Sequence, residues 1–544
     1  LQFDGTKLVK KYSSLVRTEV RLSKFIEKLT GISQEMVNNA PLWSKVEQDL
    51  LDLDGHALIA HNAQFEEMFL KKYFDRIDEG QTREQYCDSM YFLSLLFPEK
   101  STLNLESFII DLGIAQKEEH RGYQDSLDLL KVILIATFVT HQDKEFAAFM
   151  HQVFMDFDSN DFWFKKFFAL EVNDLFEISE EIDMDLKAMS EKFISKWNED
   201  IEFLDQSEDQ VDVKFSSNNL MSIYRNEERL GDLFPGYKYR KAQEELSLRV
   251  GQAFNNNIHA LIQAPTGTGK TLGYMIPSAL MAKQNQTQVL ISTGTKTLQN
   301  QAVQKDIPQL HKILGLNKSQ LKVIRLVGSS NHLCELMYRN EKNDGLLMQM
   351  ETFEDKLSQA YMESIFFNNQ RVKDYNKIIT RENIPYSMKR RLQPLKDLEE
   401  KVAVDYRACS GSKCPFSSTC TYVQGWRKAK EAHLLIGNHA LLLSWPRNME
   451  KPPFIVIDEA HKMESEATGA FAQAIGNREL ESLAKNLPQM IGPLYYLLAN
   501  EDNPDEELPK RIRKEIQSQT QMLSDHVIPL MDNIEKYAKR LPNY

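Results

Sequence analysis

The sequence predicts a multidomain α/β protein whose second half contains a parallel β-sheet. Short apolar runs, such as TQVLIST and PFIVIDEAH, alternate there with segments of helical period, as strands joined by crossover helices do. At about 100–200 residues per domain, a chain of 544 residues requires several domains. The composition is 42% hydrophobic, which supplies folded cores and excludes a disordered chain.

Cysteine usage and hydropathy restrict the environment of the chain. Five scattered cysteines do not form the framework of a secreted disulfide-rich protein, so we expect a reducing, cytoplasmic location. The longest apolar stretch, 129–139, contains Lys131 and is too short to span a bilayer, so we expect no membrane partner. The sequence begins at Leu1 without a signal peptide, and we expect residues to be missing before it.

The net charge of −12 does not exclude a nucleic-acid partner, because the excess of acids is local. Residues 171–213 contain 15 acids and 3 lysines, so the remainder of the chain is close to neutral. We interpret this stretch as a solvated helical connector. The basic runs 389–391 and 427–430 are candidate phosphate contacts, with plain solvated surface as the alternative.

The pattern of elements changes along the chain and predicts five regions. Apolar runs between polar turns predict a small α/β domain at the start, and Phe-rich and acidic helical segments follow it. Alternating strands and helices then predict a parallel sheet that is interrupted by a polar, helix-prone insertion. The predicted regions are 1–140 (α/β domain), 141–235 (acidic helical connector), 236–330 and 430–461 (parallel-sheet domain), 331–429 (first insertion) and 462–544 (second helical insertion).

A glycine-rich segment, APTGTGKT, has the context of a phosphate-binding P-loop. It follows the apolar run HALIQAP, which we expect to be a strand, and it opens a helical pattern. Gly267 and Gly269 let backbone N–H groups turn toward phosphate oxygens, Lys270 neutralises the β/γ charge, and the Thr271 hydroxyl holds Mg²⁺. The residues expected to line the nucleotide are Ala264, Pro265, Thr266, Gly267, Thr268, Gly269, Lys270 and Thr271.

A second strand ends in the acidic motif Asp458-Glu459-Ala460-His461. One carboxylate, that of Asp458, can bind Mg²⁺, while Glu459 can orient the attacking water. The Gly-rich loop alone is more often a simple turn than a site. Together with a DEAH motif at a strand end, the two segments predict an ATP and Mg²⁺ site.

These motifs resemble those of superfamily 2 helicases, and LIGNHALLL before the DEAH motif resembles the XPD/DinG branch. The resemblance implies a RecA-like domain for the parallel sheet. It also implies that Arg240 and Gln243, in YKYRKAQ, read the adenine base, with an ordinary surface pair as the alternative. The second insertion, 462–544, resembles the start of the arch that follows DEAH in this branch.

Four cysteines lie between the P-loop and the DEAH motif. Cys409, Cys414 and Cys420 are spaced C-x4-C-x5-C, and Cys334 lies far upstream. The paired C-x2-C knuckles of zinc ribbons are absent, and four thiolates can hold a 4Fe-4S cluster. The XPD/DinG resemblance implies such a cluster in 331–429. A zinc site and unliganded core thiols stay open, and Cys87 is expected to be a small buried hydrophobe.

Three segments of the first region, LTGISQEMV, His61–Glu66 and His120–Asp125, resemble DEDDh-type 3′–5′ exonucleases of ribonuclease H-like fold. The resemblance implies that Glu66 and Asp125 bind Mg²⁺ or Mn²⁺ and that His120 is the general base. The alternative is ordinary polar residues in an α/β domain. The family usually has Asp at position 66 and Ala at position 122, so the site geometry here is altered.

Two family features are not found in the sequence. The Asp-x-Glu pair of the opening strand is absent, and Asp52-Leu-Asp54 lies in the wrong place to replace it. We expect the sequence to begin after that motif; the alternative is an inactive nuclease fold. No second-lobe Ser-Ala-Thr or arginine-finger segment follows the DEAH motif, so we expect nucleotide binding with poor hydrolysis.

The order of the domains resembles DinG-type fusions of an exonuclease to an XPD-like helicase. It implies a monomeric enzyme of DNA repair or replication that acts on single-stranded or tailed DNA, translocates 5′–3′ with ATP and trims 3′ ends. Two other interpretations stay open. One is a nucleotide-gated exonuclease without strand separation, and the other is a non-catalytic DNA-binding scaffold.

Overall fold

The computed structural model describes residues 1–50, 57–73, 86–158, 162–202, 216–343, 352–406, 408–446, 449–471 and 507–538. These residues form two compact units, Leu1–Met463 and Glu464–Tyr544. The eight strands are β1 (Gln2–Asp4), β2 (Lys7–Lys10), β3 (Leu58–Ala60), β4 (Tyr86–Asp88), β5 (Val289–Thr293), β6 (Val323–Arg325), β7 (Leu434–Asn438) and β8 (Phe454–Ile457).

Helices make up most of the described structure. In the first half they are α1 (Lys24–Thr30), α2 (Gln34–Asn38), α3 (Trp43–Leu50), α4 (Gln64–Tyr73), α5 (Ser89–Leu96), α6 (Leu105–Asp111), α7 (Gly122–Gln142), α8 (Lys144–Met155), α9 (Phe164–Phe168), α10 (Val172–Glu180), α11 (Leu186–Glu202), α12 (Ser217–Arg225), α13 (Glu227–Leu233) and α14 (Lys241–Asn256). In the second half they are α15 (Lys270–Asn285), α16 (Lys296–Gln301), α17 (Ile307–Leu314), α18 (Glu335–Asn343), α19 (Phe353–Arg371), α20 (Tyr386–Arg391), α21 (Gln393–Lys401), α22 (Thr421–Ala429), α23 (His439–Leu443), α24 (Met463–Phe471), α25 (Glu507–Met522) and α26 (Ile528–Ala538).

The predicted parallel sheet is confirmed. Its four described strands lie in the order β6-β7-β5-β8, and every neighbouring pair is parallel. Because all carboxyl ends lie at one edge, the ends of β5 and β8 bring Ser292 and Asp458 together, and the Asp458 N–H donates to the Ser292 carbonyl at 2.9 Å. In the first region β1 and β2 form an antiparallel hairpin, while β3 and β4 pair in parallel.

The strand that we expected in HALIQAP is not formed, and this prediction is wrong. Residues 258–265 have no regular secondary structure, and Leu261 is 95% exposed. A strand needs a neighbour for its backbone hydrogen bonds, and among the described residues β8 is the edge of the sheet with no partner beyond it. The P-loop therefore enters α15 from an unpaired segment.

Two large hydrophobic clusters support the first unit. One surrounds the parallel sheet and packs α14, α15 and α17 against β5 and β7. The other draws its buried side chains from residues 87–186 and 333–402, so α5, α7 and α8 share one core with α19 of the first insertion. The insertion leaves the sheet after β6 and returns at β7, which are neighbouring strands.

The acidic region is helical but is not only a solvated connector. Leu175, Ile178 and Leu186, on α10 and α11, are buried in the cluster shared with the insertion, while the acids face outward. Residues 203–215 of the predicted acidic stretch lie outside the described residues. One helical face thus contributes to the core.

The second unit contains α25 and α26, joined by a π-helical turn at Leu523–Val527. Residues 472–506 of the predicted second insertion lie outside the described residues. Within the part of the chain that the structure describes, none of the helices combines the length and the apolarity that crossing a lipid bilayer requires.

Candidate functional sites

The P-loop backbone takes the shape that its glycines allow. Gly267 and Gly269 have φ of +79° and +81°, a left-handed conformation that favours glycine. The buried Thr268 hydroxyl donates to the Pro265 carbonyl at 2.7 Å and closes the loop. Lys270 is the first residue of α15, so the loop presents the N-terminal end of a helix to a ligand. Pro265, Thr266 and Gly267 are exposed, and Ala264 is half-buried.

The P-loop lysine and the DEAH acids meet in space although 189 residues separate Lys270 from Glu459. Lys270 Nζ lies 2.9 Å from Glu459 Oε1. This hydrogen bond raises the pKa of Lys270 and lowers the pKa of Glu459. The Glu459 backbone has φ of +54°, and its N–H donates to Asp458 Oδ1 at 3.0 Å. The two carboxylates are therefore held beside the loop.

Sequence reasoning missed Tyr274, which lies one turn after Lys270 on α15. Its hydroxyl donates to Asp458 Oδ2 at 3.1 Å and also bonds the Thr271 side chain. Burial and the nearby Asp458 raise the pKa of Tyr274 well above its usual value, so the hydroxyl stays a donor. The four-residue spacing from Lys270 was the available signal, because residues i and i+4 share a helix face.

Arg240 and Gln243 support the loop backbone. Arg240 Nη1 donates to the Gly267 carbonyl at 3.2 Å, and Gln243 Nε2 donates to the Gly269 carbonyl at 2.9 Å. Gln243 is buried, and a Cβ added at Gly269 would lie only 2.4 Å from its Nε2. Glycine is thus required at 269 both by φ and by this close approach. The segment that carries Arg240 and Gln243 is therefore held against the P-loop backbone.

A buried pair joins the two segments that precede the DEAH motif. Ser292 Oγ lies 2.7 Å from His439 Nδ1, and both side chains are fully buried. Gln299 Nε2 donates to the carbonyls of Leu326 and Ile436. These bonds tie the ends of β5, β6 and β7 into one carboxyl edge around the nucleotide residues.

The exonuclease-like region centres on Asp88, which sequence reasoning missed. Its carboxylate accepts the N–H groups of Asn62 at 3.0 Å and Ala63 at 3.2 Å, just after β3. His61 is fixed between Ser89 Oγ at 2.9 Å and the Leu103 carbonyl at 2.6 Å. Burial lowers the pKa of His61, so it acts as a structural hydrogen-bonding residue.

Glu66 and Asp125 each direct a free oxygen into the interior. Among the described residues, Glu66 Oε2 and Asp125 Oδ1 are buried side-chain atoms without a hydrogen-bond partner. Burial raises the pKa of both carboxyls; Asp88 adds to the effect on Glu66, while bonds to the Arg121 and His120 backbone oppose it at Asp125. Such orphaned carboxylate oxygens fit the ligand set of a divalent cation.

His120 lies next to Asp125 but is paired elsewhere. Its backbone has φ of +56°, and its Nδ1 lies 3.5 Å from Glu118 Oε1. Its side chain is partly exposed. The two carboxylates, Glu66 and Asp125, have different acidic neighbours. The charge of Asp88 raises the pKa of Glu66, and the charge of Asp128 raises the pKa of Asp125.

The four cysteines of the insertion are half-buried and free. Charge interactions link Cys334 to Cys409 and Cys414, and link Cys420 to Cys334 and Cys409. Burial raises the pKa of Cys334 and Cys420, but backbone N–H groups that point at each sulfur oppose this shift. The Gly411 N–H likewise donates to Cys409 Sγ at 3.4 Å.

Amide donors on sulfur are typical of thiolates that hold an iron–sulfur cluster. Nevertheless, no group of three or more His, Cys, Asp or Glu side chains within the described ranges is arranged to hold a metal ion. Cys87 is the expected small buried hydrophobe: burial raises the pKa of its thiol to about 12.

Two residues of the first basic run are paired with acids. Lys389 lies 3.0 Å from Glu399, and Arg391 lies 3.0 Å from Asp88. Because both carboxylates are buried, a phosphate contact by either cation would have to compete with an ion pair. In the second run, Lys428 lies over the Tyr375 ring.

Two segments of the chain match known families: one covers the exonuclease-like residues, and the other covers the P-loop but ends before the DEAH motif. Residues 1–133 match the family described as "Exonuclease", and residues 244–373 match "DEAD/DEAH box helicase". The fold is therefore a ribonuclease H-like exonuclease domain followed by a helicase domain with a parallel sheet.

Several similar curated proteins are named 3′-5′ exonuclease DinG. The protein of Bacillus subtilis is 24% identical over 476 residues, 86% of this chain and 47% of the relative. Those of Staphylococcus saprophyticus and Staphylococcus aureus are 26% and 25% identical, over 57% and 59% of this chain and 32% and 34% of the relatives. The chain thus spans half or less of each relative's length. The matches support an exonuclease–helicase fusion of the DinG type.

Proposed function

We propose that the chain belongs to a DNA-processing enzyme that couples ATP-dependent, 5′–3′ strand separation to 3′–5′ digestion of DNA ends. The observation that carries the proposal is the convergence of Lys270 with Glu459 at 2.9 Å, with Asp458 beside them. The order of the two family matches and the similarity to DinG proteins support the combination of activities.

The nucleotide residues have complementary roles in this proposal. Lys270 contacts the β/γ-phosphates, which requires it to release Glu459. Thr271 and Asp458 hold Mg²⁺, and Tyr274 orients Asp458 through its hydroxyl. Once released, Glu459 is free to orient the attacking water. Binding of ATP would therefore replace Glu459 by phosphate as the partner of Lys270. The same exchange would free the Glu459 carboxylate for catalysis.

The exonuclease residues fit a site that uses Mg²⁺ or Mn²⁺. Glu66 and Asp125 offer the buried oxygens that have no protein partner. His120 removes the proton from water in our proposal. When bound, the cations stabilise the attacking and leaving oxygens of phosphodiester hydrolysis.

A 4Fe-4S cluster in the insertion is supported by the backbone N–H groups that Cys334, Cys409 and Cys420 accept and by the charge interactions among the four cysteines. Cys334, Cys409, Cys414 and Cys420 would hold it. When bound, the cluster supplies a rigid link between distant parts of the insertion.

The substrate in this proposal is single-stranded or tailed DNA, which the enzyme meets in the cytoplasm as a monomer. Arg390, Arg427 and Lys430 remain candidate phosphate contacts, since base-independent gripping of a strand requires cations along its path.

A 5′-tailed duplex tests the proposal. The full-length protein, with Mg²⁺ or Mn²⁺ and with or without ATP, should release an intact strand only with ATP and should shorten 3′ ends without it. Glu459→Gln should abolish strand release and spare digestion, whereas His120→Ala should do the reverse.

The other outcomes identify the alternatives. Shortening that ATP modulates, without release of intact strand, would establish a nucleotide-gated exonuclease. Binding of the duplex with neither release nor shortening would establish a DNA-binding scaffold. Either result overturns the proposed helicase activity.

A further inference from the structure

A contact joins the first insertion to the exonuclease-like region at Asp88. Arg391, the last residue of α20, lies with Nη1 3.0 Å from Asp88 Oδ2 at the end of β4. Its Nη2 donates to Asn62 Oδ1, and its guanidinium also bonds the Tyr91 side chain. The Arg391 side chain is 13% exposed and that of Asp88 is 8% exposed, so the ion pair is largely removed from water.

The Asp88 carboxylate shapes the turn that leads to Glu66. Besides Arg391, it accepts the N–H groups of Asn62, Ala63 and Met90. Asn62 has φ of +70°, an uncommon conformation for a non-glycine residue, and these bonds hold it there. The turn opens α4, whose first turn carries Glu66.

Arg391 is held rigidly on the side of the insertion. Its neighbours Met388 and Leu392 are 0% and 1% exposed in the shared core, and the Leu392 N–H donates to the Met388 carbonyl at 2.8 Å. The planar guanidinium can contact Asp88 and Asn62 at once, which a lysine ammonium cannot match in geometry. The chain therefore has a rigid path from α20 to α4.

We propose that Arg391 is a positioning residue of the exonuclease site: through it, the insertion holds the Asn62 turn and, with it, the carboxylate of Glu66. This inference rests on the exonuclease activity proposed above. Arg391 acts through Asp88 and Asn62 and supplies no ligand itself. Its loss leaves Asp88 buried without its cation and loosens the start of α4.

The test compares Arg391→Met with Arg371→Met. Arg371 also lies in the insertion and forms ion pairs with Asp143 and Glu145 of the preceding helices. These partners are not part of the Asn62 turn. For Arg391→Met we expect the Mn²⁺ concentration for half-maximal digestion to rise about 10-fold or more, as for other residues that support a metal ligand, with KM for DNA unchanged. Arg391→Lys should restore part of the loss, and Arg371→Met should behave like the wild type.

A second measurement does not depend on activity. Hydrogen exchange at the Asn62 and Ala63 amides should accelerate in Arg391→Met and not in Arg371→Met, because these amides donate to Asp88. Equal exchange and equal Mn²⁺ dependence in the two variants would overturn the inference. If the wild type digests no DNA, the proposed activity fails, and the exchange rates alone decide whether Arg391 holds the turn.

Discussion

At the scale of single residues, the nucleotide site is defined by two side-chain hydrogen bonds between α15 and the DEAH motif. Lys270 binds Glu459, and Tyr274 binds Asp458, so each acid of the DEAH motif has its own partner on α15. The sequence predicted that the P-loop and the DEAH motif form one nucleotide site, which brings Lys270 close to the two acids. It did not predict the contact between Tyr274 and Asp458, because a tyrosine in a helix carries no motif.

We predict that Tyr274→Phe weakens Mg²⁺-dependent nucleotide binding several-fold while the fold is kept. The substitution preserves the buried ring and removes one hydrogen bond to a charged group, worth about 1.5–3 kcal/mol. Titration of a fluorescent ATP analogue at several Mg²⁺ concentrations measures the effect.

The matched control is Tyr338→Phe, since the Tyr338 hydroxyl also donates to a carboxylate at 3.1 Å, that of Glu363 in the insertion. Nucleotide binding should be unchanged in this control. Equal weakening in both variants would show that Tyr274 acts only through general stability.

At the scale of elements, the largest difference between prediction and structure concerns the segment before the P-loop. HALIQAP has the composition of a strand, yet a strand forms only beside a partner, and β8 is the edge of the described sheet. The runs that became β5, β6, β7 and β8 have such partners. Local composition indicates which residues prefer extended structure but not whether a neighbour exists.

Strand β7 begins next to a histidine whose charge state depends on the fold. His433 Nδ1 accepts the Lys322 N–H at 2.9 Å, and burial, with Lys283 and Lys322, lowers the pKa of His433 to about 4. The folded state therefore binds fewer protons than the unfolded state between pH 6.5 and 4. The stability contribution is complete above pH 6.5 and is lost as the pH falls through this range.

We predict that His433→Asn flattens the pH dependence of the unfolding midpoint between pH 6.5 and 4. The asparagine Oδ1 still accepts the Lys322 N–H but does not titrate. The free-energy difference across the window should be on the order of 1–3 kcal/mol. Identical pH slopes in wild type and variant would contradict the assignment.

A separate prediction concerns the cysteines of the first insertion. Cys334→Ser should lower the iron and sulfide content of anaerobically purified protein and remove its visible absorbance. Cys87→Ala, in the first core, should leave both unchanged because the Cys87 thiol is neutral. A colourless wild-type protein without iron would contradict the assignment of an iron–sulfur cluster.

At the scale of the whole molecule, the first region and the insertion share one hydrophobic core. Phe149 of α8 stacks on Phe367 of α19 with ring centroids 4.1 Å apart. The sequence pattern placed these helices in separate regions, because periodicity shows that a face is apolar but not which face it meets. Likewise, the Arg391–Asp88 pair joins residues 303 positions apart and has no local signal.

We predict that Ile365→Ala, at a fully buried position of α19, destabilises the shared core by about 2–5 kcal/mol. Hydrogen exchange should accelerate in α7 and α8 as well as in α19, because these helices pack on one core. Ile313→Ala, in the core around the sheet, should accelerate exchange near α15 and α17 instead. Exchange that accelerates only within the insertion would argue for independent folding of the two regions.

The central claim is that the P-loop and the DEAH motif form one nucleotide site, and equilibrium binding of Mg²⁺·ATP tests it most directly. Lys270→Ala should lose at least about tenfold in affinity, because the phosphate charge loses its cation. Lys283→Ala, at the far end of α15 about 20 Å away, should bind like the wild type. Equal affinity in all three proteins would contradict the claim.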